Sequence, residues 1–209
     1  NVCYGGFISG RLCMSSLEDI YVQGNLGTYG VSCGGVAGAI TKSAKLNRCI
    51  SKVNVTLANS NNNNGVLLGD IEPGAFDIDN TKISNCLGLG TPCNNNVARL
   101  ANMTAPAEIA FENCYEDISI EVGKSLFGDA MPGIKYARTD LGFLHHISKE
   151  LQNVLYTFPM LRYNSELYQS LGFNDDVWEF DPTIQVGYPM LRYIGDKSAF
   201  DQYDLDIVI

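Results

Sequence analysis

Four stretches in the first 125 residues share one order of features: an opening of small residues, a polar turn, and a run in which apolar and polar residues alternate. They extend from Gly5 to Val22, from Gly34 to Val55, from Gly65 to Leu89 and from Val97 to Ile120. Aligning Leu17, Leu46, Ile83 and Phe111 brings Ile20, Cys49, Cys86 and Cys114 into line three positions later, at spacings of 29, 37 and 28 residues. The long spacing is assigned to extra residues between the second and third repeats, where Asn59 to Asn64 includes four consecutive asparagines and reads as a loop. Apolar beats on every second residue, as in Ile118-Ser119-Ile120-Glu121-Val122, predict strands rather than helices. A single repeat of this kind cannot bury its apolar face. Stacked repeats can, and equivalent residues then form columns spaced by about 4.8 Å. The predicted fold class is mostly β: an irregular right-handed parallel β-helix, or solenoid, over residues 1–136.

From about Ala137 onward the pattern changes to one with no Cys, few Gly and more Tyr, Phe, Leu and Asp. Thr139-Asp140 is placed to cap a short helix through Phe143, Leu144, Ile147, Leu151, Val154 and Leu155. One phrase then occurs twice: Phe158-Pro159-Met160-Leu161-Arg162-Tyr163 and Tyr188-Pro189-Met190-Leu191-Arg192-Tyr193. An open stack end leaves backbone and core exposed, and a bulky aromatic segment with prolines suits its closure. Residues 137–209 are therefore expected to be a helix and an aromatic cap, forming one structural unit with the repeats. The same aromatics suit a different use, stacking on sugars, for which Trp178, Tyr188 and Tyr193 are the candidate ligand-binding residues.

Composition narrows the function classes. The 209 residues carry 14 Lys+Arg against 23 Asp+Glu, a net charge of -9, and 45% are hydrophobic. That apolar fraction supports a core, and the acidic balance excludes a backbone-driven nucleic-acid binder. No apolar run is long enough to predict membrane insertion. The opening Asn1-Val2-Cys3-Tyr4 is expected to be the start of a mature product or of an excised piece. The seven cysteines, Cys3, Cys13, Cys33, Cys49, Cys86, Cys93 and Cys114, are odd in number and contain no CxxC. Most are expected to be free buried thiols acting as small hydrophobes. The sequons Asn54-Val55-Thr56 and Asn102-Met103-Thr104 are as frequent as chance allows in an Asn-rich chain.

Catalytic signatures are missing. His145-His146 with Glu150 lacks the spacing of a zinc helix, and adjacent helical residues point about 100° apart. Asp70, Asp77, Asp79, Asp175 and Asp176 are the carboxylates that a polysaccharide lyase or hydrolase would draw on, against a plainer reading as solvated turns. Asp77-Ile78-Asp79-Asn80 echoes a calcium loop without its glycine or terminal glutamate. No catalytic residue, metal ligand or cofactor site is assigned.

Gly34-Gly35-Val36-Ala37-Gly38, followed by a polar turn and Asn47-Arg48-Cys49, resembles the GLUG-type repeat, as does Asn113-Cys114-Tyr115. Tyr168, Leu171, Gly172, Phe173, Trp178, Gly187, Tyr188, Pro189 and Leu191 resemble the segment that often follows such repeats. The resemblance implies the repeat module of bacterial adhesins and of large surface peptidases of the immunoglobulin A-cleaving class. The expected role is a non-catalytic stalk, spacer or adhesion domain, extracellular or at the cell surface. Its partner would be a host or cell-surface glycan or protein, and it would be a monomeric module of a larger chain. The alternatives are a glycan-binding module using the tail aromatics, and an enzyme acting on polysaccharide along the groove.

Overall fold

The computed structural model describes residues 4–27, 31–57, 63–72, 81–95, 97–101, 110–117, 134–137, 164–180 and 188–192. The chain divides into two compact units, residues 1–135 and 136–209. Among the described residues the first unit is built of parallel sheets, each taking strands from successive repeats. The first sheet holds β1 (Tyr4–Gly6), β4 (Ser32–Gly34), β7 (Asn63–Gly65) and β11 (Val97–Ala98) in that order. The second holds β2 (Ser9–Cys13), β5 (Ala37–Thr41) and β8 (Leu68–Ile71), and Ala101 of the fourth repeat bridges to Leu68. In the third, β3 (Ser16–Gly27) lies on β6 (Lys45–Leu57). That long strand also pairs with β9 (Lys82–Ser84) and β10 (Leu87–Gly88), on which β12 (Ala110–Glu112) and β13 (Cys114–Asp117) follow. Strand β14 (Ile134–Ala137) comes next in the order.

The register stacks the positions that the sequence aligns. Leu17 faces Leu46, Leu46 faces Ile83, and Ile83 faces Phe111. Ile20 faces Cys49, and Tyr21, Ile50, Leu87 and Tyr115 form the next column. The long repeat is distributed differently from the expectation. Ser32 pairs with Asn63, 31 positions on, whereas Lys45 pairs with Lys82, 37 positions on. Most of the extra length therefore lies between β8 and β9 rather than in the asparagine run. Asn63 and Asn64 are not loop residues at all: they belong to β7, and Asn64 is fully buried.

A strand with period 2 cannot turn residues three apart toward the same interior, yet Leu46 and Cys49 are both fully buried, as are Ile83 and Cys86. The backbone resolves the conflict. Asp19, Arg48, Asn85 and Asn113 all adopt left-handed φ, between 50° and 54°, one residue before Ile20, Cys49, Cys86 and Cys114. Each left-handed residue swings the chain so that the next side chain returns inward. In the third and fourth repeats it interrupts the strand, separating β9 from β10 and β12 from β13. Non-glycine residues rarely take this conformation, and Asn and Asp are the side chains that take it most readily.

One apolar core results. Leu12, Ile40 and Ile71 from the second sheet meet Leu46, Val53, Ile83, Phe111 and the cysteines of the third. Val36, Leu67 and Leu100 join them from the arches that connect the first and second sheets. Close backbone approach beside those arches leaves no room for side chains at several glycines. A Cβ on Gly34 would overlap the Ala37 carbonyl and the Gly69 amide, and one on Gly38 would overlap the backbones of Gly5, Gly10 and Ser32.

In the second unit the described residues form a small aromatic structure. A six-residue helix, Ser165–Ser170, is capped by Asn164, whose side chain accepts from the Leu167 amide at 3.1 Å. Gly172 (φ 82°) turns the chain, and β15 (Trp178–Glu179) pairs antiparallel with β16 (Met190–Leu191). The helix expected from Thr139 to Leu155 lies outside the described residues, as does the first copy of the Pro-Met-Leu-Arg-Tyr phrase. Helix formation at Ser165–Ser170 was not anticipated from the sequence, which read that stretch only as aromatic cap.

Replacing Asn85 by Val, a β-branched residue that left-handed φ strains, is expected to destabilise the chain by about 1–3 kcal/mol in urea titration. Asn85→Gly should lose much less. Equal losses for the two variants would show that the conformation is not what Asn85 supplies.

Candidate functional site

The densest group of polar side chains spans three repeats on the first and second sheets. Arg11 of β2 and Asp70 of β8 face the same residue from either side, Ala39 of β5. The small Ala39 side chain leaves Arg11 free to reach across the intervening repeat, where its Nη2 lies 2.7 Å from Glu72 Oε2. Tyr4 of β1 donates its hydroxyl to Glu72 Oε1, 68 positions away in sequence. The Arg11 guanidinium also sits 5.4 Å from the centre of the Tyr4 ring. Beside them Asn63 Nδ2 donates to Asp70 Oδ2 at 3.0 Å. The hydrogen bond to Glu72 holds the Tyr4 proton and raises the phenol above its ordinary value of 10.0, with burial and the Glu72 charge acting in the same direction.

Chemically this arrangement is a clasp. The phenol is held by a carboxylate, and an arginine neutralises that carboxylate. Asp70, expected in a solvated turn, is instead a buried strand residue at 4% exposure. Asp77 and Asp79 lie outside the described residues, and Asp175 and Asp176 are exposed in a turn of the second unit. Sequence reasoning passed over Tyr4, Arg11 and Glu72, and also over Glu116 and Asp117, both buried in β13. Glu116 stands opposite Gly88, where a Cβ would overlap the Arg99 carbonyl.

A second ionic group lies on the left-handed column. Arg48 donates from Nε to Asp19 Oδ1 at 2.7 Å and from Nη2 to Asp19 Oδ2 at 2.8 Å, a bidentate pair, and it also reaches Glu18 at 3.0 Å. The pair explains why an arginine occupies a position that disfavours it. Asparagines continue the line, Asn113 donating to Asn85 and Asn85 to Asn47. Asn54 of the first sequon accepts from the Thr91 amide at 3.1 Å and donates to Asn25. The second sequon lies outside the described residues.

The cysteines form the third group. None of the six described cysteines is in a disulfide: Cys33, Cys49, Cys86 and Cys114 are buried, Cys13 is half-buried and Cys93 exposed. Cys86 contacts both Cys49 and Cys114. Side chains stacked in register on parallel strands stand about 4.8 Å apart, beyond the ~3.8 Å between Cβ atoms that a disulfide needs. Instead the thiols donate to carbonyls, Cys86 to Ser84 at 3.0 Å and Cys114 to Ile83 at 3.3 Å. Burial pushes the Cys86 thiol well above its ordinary value of 9.0, and its hydrogen bonds with Cys114 and Cys49 add to the rise. Among the described residues no group of three or more His, Cys, Asp or Glu is arranged to hold a metal ion. His145, His146 and Glu150 lie outside them.

Among the described tail aromatics, Trp178 and Tyr188 offer no exposed ring face. Trp178 is fully buried, its ring 4.8 Å from that of Phe173 in edge contact, and Phe173 meets Tyr168 at 5.5 Å. Tyr188 is also buried, and Tyr193 lies outside the described residues. Arg192 closes this group by donating from Nε to the Asp175 carbonyl at 2.8 Å. An open depression of about 250 Å³ is lined by Gln169, Gly172, Phe173, Asn174 and Asp175. Phe173 is fully buried, so the depression offers amides and a carboxylate but no ring face. No protein-family description, characterised protein or solved structure matches this chain.

The raised Cys86 pKa has a sign in stability. Between the unfolded thiol's value near 9.0 and the higher folded value, the unfolded chain releases a proton that the folded chain keeps. Stability contributed by the buried thiol is thus complete below pH 9 and declines above it, by about 1.4 kcal/mol per pH unit for one such group. Denaturation midpoints of the wild type and Cys86→Ala, followed from pH 7 to 10.5, should diverge in slope above pH 9. Parallel profiles would mean that Cys86 does not titrate differently in the two states.

Proposed function

We propose that the N-terminal unit is a right-handed parallel β-solenoid of GLUG-like repeats, closed by the aromatic C-terminal segment. The chain then serves as a non-catalytic stalk, spacer or adhesion module of a secreted or cell-surface bacterial protein. The observation that carries this reading is the continuous parallel register, in which each of the first three repeats adds to every sheet and the fourth extends the first and third. Such a structure extends by repetition and meets a length requirement without any special site. The ionisable groups support the same role. Tyr4, Arg11 and Glu72 bind one another, and Glu18 and Asp19 bind Arg48, so these groups tie repeats together. Adhesive contact with a host or cell-surface glycan or protein would use the outer faces.

The competing enzyme reading would recruit Asp70 and Glu72, carboxylates two positions apart on one strand and its end. The test is incubation of the full chain with a panel of neutral and acidic polysaccharides, monitored for new reducing ends and for unsaturated sugar products. No product is expected from any substrate. Turnover that disappears in Asp70→Asn or Glu72→Gln, with the fold retained, would replace the spacer by a polysaccharide-degrading enzyme.

A further inference from the structure

We propose that the interior column of Cys49, Cys86 and Cys114 binds a soft monovalent cation of the Cu(I) or Ag(I) class, held in line between Cys86 and one neighbouring cysteine. The ladder places the three together. Asn47 pairs with Ser84 and Ile50 with Leu87, while Ser84 pairs with Glu112 and Leu87 with Tyr115. Cys49 therefore stands beside Cys86, and Cys86 beside Cys114. All three are fully buried in one apolar core. Neighbouring steps of a parallel ladder are about 4.8 Å apart, too far for a disulfide. The step does match a linear sulfur–metal–sulfur unit, which spans about 4.6 Å when each metal–sulfur bond is about 2.3 Å.

The surroundings select the ion. Sulfur donors favour soft cations, and a linear ion needs only two of them. A structural zinc needs four ligands, and among the described residues no group of three or more His, Cys, Asp or Glu is arranged to supply them. The interior is apolar, so the bound unit must carry no net charge. A monovalent ion meets that condition by displacing one proton. The S–H bond of one cysteine breaks, a metal–thiolate bond forms in its place, and the proton passes to solvent. The second cysteine keeps its proton and gives a sulfur lone pair to the same ion. Loading proceeds through local opening of the stack. Cys33 serves as an internal control: it is buried too, but its ladder neighbours are Gly5 and Asn64. The site depends on the column alone and would hold for a module of any role.

The test uses the full chain with Cys3, Cys13 and Cys93 replaced by Ser, so that Cys33 and the column supply all the thiols. Loaded with Cu(I) without oxygen and then desalted, this parent should retain copper, and X-ray absorption should show a metal with sulfur neighbours on two sides and no further ligand. Its thermal unfolding midpoint should rise, because the ion binds the folded chain in preference to the unfolded one. Zinc treated in the same way should wash out. Cys49→Ala or Cys114→Ala alone leaves one adjacent pair and should still hold the ion. The double variant should lose it, and so should Cys86→Ala, which leaves two thiols about 9.6 Å apart. Circular dichroism in the far ultraviolet should be the same for all of them. A parent that retains no copper overturns the proposal, as does copper kept by Cys86→Ala or bound by three or more ligands. A midpoint that falls on loading also overturns it, since the ion would then be captured by the unfolded chain. The absorption spectrum and the midpoint need no column variant, so they decide even if Cys86→Ala fails to fold.

Discussion

Parallel hydrogen bonding between successive repeats forces equivalent positions on top of one another, and the rest of the N-terminal unit follows from that constraint. In a parallel ladder every column must be tolerable to itself at about 4.8 Å. Large apolar residues satisfy it where the interior is wide, as in Leu17, Leu46, Ile83 and Phe111. Cysteine satisfies it where the interior narrows after the left-handed turn, being small, apolar and able to donate weakly to a neighbouring carbonyl. In one column opposite charges stack, Arg48 following Asp19 and pairing with it.

The same constraint explains how the ionisable groups are used. A repeat can reach beyond its neighbour only through a long side chain over a short one, and Arg11 does so over Ala39. Its partner Glu72 also receives Tyr4, so the first repeat is fastened to the third as well as to the second. The clasp thereby links three repeats through one carboxylate.

Much of this was legible in the sequence because like residues recur where like residues stack. The Leu/Leu/Ile/Phe and Ile/Cys/Cys/Cys columns are visible without coordinates, and the structure places them in register. The left-handed column was also written there, as Asp, Asn and Asn before the inward residue, but Arg48 interrupts the chemical pattern and hides it. Spacing gives the length of a repeat and not where its extra residues fall, so the asparagine run received length that belongs between β8 and β9. Asn64 was misread because composition favours a loop while its column demands burial. The Tyr4–Glu72 clasp was beyond reach, since finding it requires two repeat offsets of different length at once. In the tail, the sequence supplied aromatics suited to a core or to a sugar platform, and packing around Trp178 decides for burial.

Interstrand nuclear Overhauser contacts in isotope-labelled protein measure the register most directly. The account predicts amide-to-α-proton contacts linking Tyr21 with Ile50, Ile50 with Leu87, and Leu87 with Tyr115, in the pattern of parallel strands. Contacts of antiparallel type, or a register displaced by even one residue, would contradict it, because a one-residue slip turns every buried side chain of the column outward.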